Sequence, residues 1–242
     1  MSGTKTPSRR SICASRGRVG LVGLTCALAL APSAASHAQV ARAAAAGLAQ
    51  RDGAPAADPD ALFRRGVDEF FAGRIEPSVT AFDELARIAP RLMPQLWQRG
   101  IALYYARRFD DCRRQFEAHR TVNPDDVENA AWHFLCVARA ESPARAKAAL
   151  LPVGPDARVP MREVYRLYRG EMTPEQVLRA GQGSTDGQFY ANLYVGLYFD
   201  ATGETEKARA AIATAADERY ASAGGYMHRV ARVHLAQLQR GR

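Results

Sequence analysis

Two cysteine–histidine couples are the first residues in this chain whose types and spacing could do chemistry. Cys112 stands seven residues before His119, and His133 three before Cys136. A thiol beside an imidazole serves either as an activated nucleophile or as half of a soft metal centre. Structural zinc sites space their ligands differently, and the two couples fall on separate predicted helices, so both are read as core. Cys112 and Cys136 lie on successive helices, and a disulfide between them stays open on sequence alone. Gly181-Gln182-Gly183 follows no predicted strand, so it is not a phosphate loop, and Ser184 has no base within a known motif. The expectation is a chain without catalytic residues, metal or cofactor. What it does carry in quantity is large aromatics: Phe63, Phe70, Trp97, Tyr104, Tyr105 and Tyr190 recur on what read as helix faces, beside Arg108. These residues suit binding rather than catalysis.

The elements that must position them are written at an offset of 34 residues. Arg65-Gly66 returns as Arg99-Gly100, Phe82 as Phe116, Pro90 as Pro124, and the small Ser78 as the small Cys112. Phe63 is matched by Trp97 and Phe70-Phe71 by Tyr104-Tyr105. A glycine on one helix, a small residue and then an aromatic on the next, and a closing proline resemble the tetratricopeptide (TPR) pattern. The glycine lets two helices approach, the small residue faces it, and the aromatic four residues later plugs the gap below. Pro90 and Pro124 are expected to end the second helix of each pair, with Gly73 and Arg107-Arg108 in the turns. A third copy has Gly196, a turn at Gly203, Ala208 as the small residue and Ile212 for the aromatic.

The predicted fold is an all-α TPR solenoid over 60–242, with repeats at about 59–92, 93–126 and 189–222. Irregular helices fill 127–186, among them one over 125–139, a short one from Pro143, one over 160–170 and one opened by Thr173-Pro174. Residues 181–187 read as a loop, and 226–239 as a capping helix. In a TPR stack the first helices of the pairs line a concave face. Here that face would carry Phe63, Val67, Phe70, Phe71, Trp97, Ile101, Tyr104, Tyr105, Tyr190, Leu193 and Leu197, with Arg64, Gln98 and Arg108 beside it. Such a groove fits a peptide with apolar anchors and an acidic flank. For Trp97 and Tyr104, core and groove are equally open.

The first 38 residues form a different object. Five basic residues and no acid precede the 13-residue apolar run from Val19 to Ala31, which is short for a membrane span, and Ser36-His37-Ala38 offers a peptidase site. This predicts an export signal over 1–38, an Ala-rich linker over 39–59, and a periplasmic or secreted mature chain. Ser8-Arg9-Arg10 leaves the twin-arginine and general routes both open, and an Arg-rich, acid-poor leader also fits a plastid or mitochondrial transit peptide. Gly23-Leu24-Thr25 before Cys26 does not fit a lipobox, so no stable membrane anchor is expected after cleavage. The whole chain carries +8, and its 33 basic residues fall to 28 without the leader, against 25 acids. That weak charge, interleaved in sign, argues against a nucleic-acid partner.

Residues 96–105, Asn123-Pro124-Asp125-Asp126 before Trp132, and 189–198 together resemble the NlpI-type envelope proteins, and related TPR proteins of bacteria and plastids, over roughly 60–239. The resemblance implies a non-catalytic adaptor that forms homodimers and docks a protease or cell-wall hydrolase. A plastid-type assembly factor of the same fold is the alternative, and a hydrolase with an unrecognised site a third.

Overall fold

Three helical hairpins share one packing plan in the computed structural model, which describes residues 58–241. The expected export signal over 1–38 and nearly all of the expected linker over 39–59 lie outside the described residues. Helix α1 (Pro59–Phe71) pairs with α2 (Ile75–Ile88), α3 (Trp97–Tyr105) with α4 (Phe109–His119), and α9 (Thr185–Thr202) with α10 (Thr205–Ala215). In each pair a Cβ added to the glycine of the first helix would lie 2.7 Å from a side chain of the second. Gly66 meets Phe82 in this way, Gly100 meets Phe116, and Gly196 meets Ile212. Ser78, Cys112 and Ala208 are wholly buried, and Ser78 Oγ also donates to the Gly66 carbonyl at 2.7 Å. The turns use left-handed residues, Gly73 at φ 75°, Arg107 at φ 60° and Gly203 at φ 87°.

Between the second and third hairpins run α5 (Val127–Ala140), α6 (Pro143–Ala148), α7 (Met161–Tyr168) and α8 (Pro174–Ala180). Each start except that of α7 has a side chain accepting a free backbone N–H: Asp126 for α5, Ser142 for α6, and Thr173 with Gln176 as a reciprocal box for α8. Helix α5 is buried from Asn129 through Ala138, and α9 on most of its circumference. A helix apolar all round must be enclosed, and these two form the middle of the fold. Cys112 of α4 and Cys136 of α5 are joined as a disulfide, with Cα atoms 5.8 Å apart.

Every regular element among the described residues is helical, so the all-α expectation holds. Several boundaries move. The linker ends earlier, because Asp58 caps α1 with Pro59 in its first turn. Pro124 does not stop α4, which has already ended at His119. The expected loop over 181–187 is mostly helical: Gly181–Gly183 is a 3-10 turn, and Ser184 caps α9 through the Gly187 N–H at 3.0 Å.

The last helix, α11 (Ala221–Gln239), breaks at Gly225, where φ is 49° and ψ −118°, a conformation natural only to glycine. The break aims the rest of α11 back across the inner sides of α1 and α3. Tyr226 lies edge-on to Phe71 (4.6 Å) and Trp97 (4.8 Å), and Arg229 sits 3.6 Å above the Phe71 ring. Further along, His234 Nδ1 meets the Tyr105 hydroxyl at 3.0 Å. No described helix is long and apolar enough to cross a membrane.

Candidate functional site

The expected groove is occupied by the chain's own last helix. Phe70, Ile101, Tyr104 and Leu193 are buried, as is Leu197, so they are core and not an open binding face. The cause is packing between helices: Tyr104 of α3 sets its ring edge against Trp132 of α5 (5.6 Å), and Phe70 of α1 packs against Tyr105 of α3 (5.3 Å). Arg108 is also committed, bonding Asp83 at 2.5 Å and Asp111 at 2.8 Å, while Arg64 is exposed. Phe63, Val67, Trp97, Tyr105 and Tyr190 remain half-buried.

The cysteine–histidine couples form no site. The two thiols are joined to each other. His119 has its Nδ1 at 2.8 Å from the Pro94 carbonyl, and His133 lies 3.5 Å from Glu117.

Helix α11 leaves a cavity at each of its ends. The one at its C-terminal end, about 550 Å³, is lined by Tyr104, Tyr105, Arg139, Asp200 and His234 among others. Asp200 Oδ2 stands 3.5 Å from the Tyr104 hydroxyl, 3.6 Å from His234 Nε2 and 3.9 Å from Arg139. Burial pushes the His234 imidazole down to about 4, and raises both tyrosine hydroxyls. His234 is therefore neutral near pH 7. Tyr105 and His234 are hydrogen-bonded between α3 and α11, but His234 Nε2 stops short of hydrogen-bond distance from Asp200 and has no partner among the described residues, so the three do not form a continuous proton relay.

The second cavity, about 300 Å³, lies beside the break in α11. Trp97, Trp132, Tyr190 and Tyr226 wall it, with Phe116 stacked behind Trp132 at 6.3 Å. Thus Trp97 and Tyr190, both expected in a binding groove, converge on one cavity, while Tyr104 and Tyr105 face the other. At its polar side stand Asp126 and Glu128, at the start of α5. Glu128 accepts from the Tyr194 hydroxyl and from Arg158 at 2.5 Å, and Arg158 also holds Asp126 and Asp156, each at 2.6 Å. Burial, with the charge of Asp126 second, raises the Glu128 carboxyl, and burial pushes the Tyr190 hydroxyl up to about 12. Two buried donors here have no partner among the described residues: Trp132 Nε1, on a side chain 2% exposed, and the Tyr226 hydroxyl. Sequence reasoning missed Glu128 and Arg158. Glu128 and Trp132 are one turn apart on α5, a signal open to reading, but Arg158 arrives from an irregular turn with no periodicity to announce it.

No family model matches the chain, and no curated protein matches it.

Proposed function

We propose that this protein is a TPR-type scaffold that binds another polypeptide and carries out no chemistry of its own. The observation behind this is the threefold recurrence of one close helix contact, glycine against Phe82, Phe116 or Ile212, in hairpins whose first two copies repeat at 34 residues. Hairpins of this kind build surfaces rather than reaction centres. The half-exposed Trp97 and Tyr190, at the cavity beside the break in α11, form the contact surface we assign to the partner. The leader pattern over 1–38 supports a mature chain in the envelope or outside the cell. The NlpI-type resemblance supplies the partner class, a protease or cell-wall hydrolase that the scaffold docks.

The test is affinity capture from the native envelope fraction, with a Trp97→Ala/Tyr190→Ala double variant as control. Capture of a specific protein, lost in a variant of unchanged helicity, is the expected result. A bait of correct location and fold that captures nothing specific would sink the proposal.

A further inference from the structure

We propose that the cavity beside Gly225 is a receptor for a single basic side chain, a lysine or arginine presented by another polypeptide. The inference deepens the scaffold reading by naming the chemistry of the residue that the partner inserts.

Two observations converge. The walls are aromatic faces and edges from four separate helices: Trp97 on α3, Trp132 on α5, Tyr190 on α9, and Tyr226 on α11. Aromatic quadrupoles attract cations, tryptophan most strongly. The carboxylates nearby outnumber the cations. Asp126, Glu128 and Asp156 share Arg158 alone as a side-chain counter-charge, and the N-terminus of α5 adds roughly half a positive charge. The excess charge of these acids lies beside the aromatic wall. Arg158 itself shows how a guanidinium is held here, with its carbon 5.9 Å from the Tyr190 ring centre, yet it lies outside the pocket, 43% exposed. At about 300 Å³ the cavity stands at the small end of ligand sites, suited to one long side chain and not to a helix or a nucleotide.

The chain holds only two tryptophans, and both line this cavity, so intrinsic fluorescence reads the site directly. The full chain is titrated with Nα-acetyl-arginine methylamide, Nα-acetyl-lysine methylamide and the neutral Nα-acetyl-norleucine methylamide. A saturable change with the two cationic probes is expected, with the norleucine probe at least about tenfold weaker. Glu128→Gln should weaken the cationic probes by a similar factor and leave the neutral one unmoved. Because Glu128 is buried, Tyr190→Ala and Asp126→Asn serve as further variants, each checked for helicity, and the same selective loss is required in whichever remain folded. Repeating the titration with Arg42→Ala/Arg51→Ala separates two sources of the side chain. Tighter probe binding there would mean that the chain's own N-terminal arginines compete for the same receptor, and unchanged binding leaves it to a partner. The proposal is overturned if no cationic probe gives a saturable change, if norleucine matches them, or if Glu128→Gln changes nothing. Since no partner is used, these outcomes are independent of whether the envelope capture succeeds.

Discussion

At the scale of single residues, His234 gives the stability its pH dependence just below neutrality. It is 3% exposed and held neutral, with its imidazole near 4 against an ordinary 6.5. Between those two values the unfolded chain binds a proton that the folded chain refuses, so stability falls as pH drops from 6.5 toward 4. The full effect amounts to about 3 kcal/mol, and His133, also depressed by burial, adds in the same direction. Denaturant titrations at pH 7 and pH 5 should show the loss, and His234→Asn should flatten the slope between them. An unchanged slope in that variant would mean that His234 already takes up its proton in the folded state. Gly225 is the other residue on which much depends. Its backbone lies where an L side chain is strained, so Gly225→Ala is expected to cost about 1–3 kcal/mol.

At the scale of elements, the hairpin contact is the unit to test. Gly66→Ala places a methyl group 2.7 Å from the Phe82 ring, and overpacking of this kind costs about 1–3 kcal/mol. Phe82→Leu makes room for that methyl, so the double variant should be more stable than the two single losses predict, by about 0.5 kcal/mol or more. Additive losses would show that the two positions do not confront each other. Across α4 and α5, replacing Cys112 and Cys136 with alanine opens a 24-residue separation and should cost about 3 kcal/mol in thermal or denaturant melts. These hairpins were legible in the sequence because glycine, small residue and aromatic must recur together for two helices to touch, and few other folds ask for that. The disulfide was only half legible: successive helices bring two cysteines near, but the rotation of each helix decides whether the sulfurs meet. The site was less legible still. An aromatic row such as Trp97, Tyr104 and Tyr105 looks the same whether a groove or another helix covers it. The face that α11 buries is visible in its pattern, but its destination depends on one glycine turning the backbone.

At the scale of the whole molecule, α11 joins the two ends of the described residues. Tyr226 packs on Phe71 and Trp97, and His234 meets Tyr105, so a helix that follows the third hairpin rests on the first and second. Thermal unfolding should then be one cooperative event, with equal calorimetric and van't Hoff enthalpies, in contrast to the fraying of an open stack. Deleting residues from 221 onward uncovers Phe71, Trp97 and Tyr105. The expected signature is a red-shifted tryptophan emission and a broadened transition. A truncated chain that melts as sharply, at the same temperature, would show that the ends hold themselves.

That return of the last helix has a consequence for what this protein can become. In an open array each unit touches only its neighbours, so copies can be gained or lost. Here a duplicated hairpin between α4 and α9 would carry Tyr226 away from its seat on Phe71, and a deleted one would drive the two into each other. The number of hairpins is fixed by a fit, and adding or removing one would unseat the final helix.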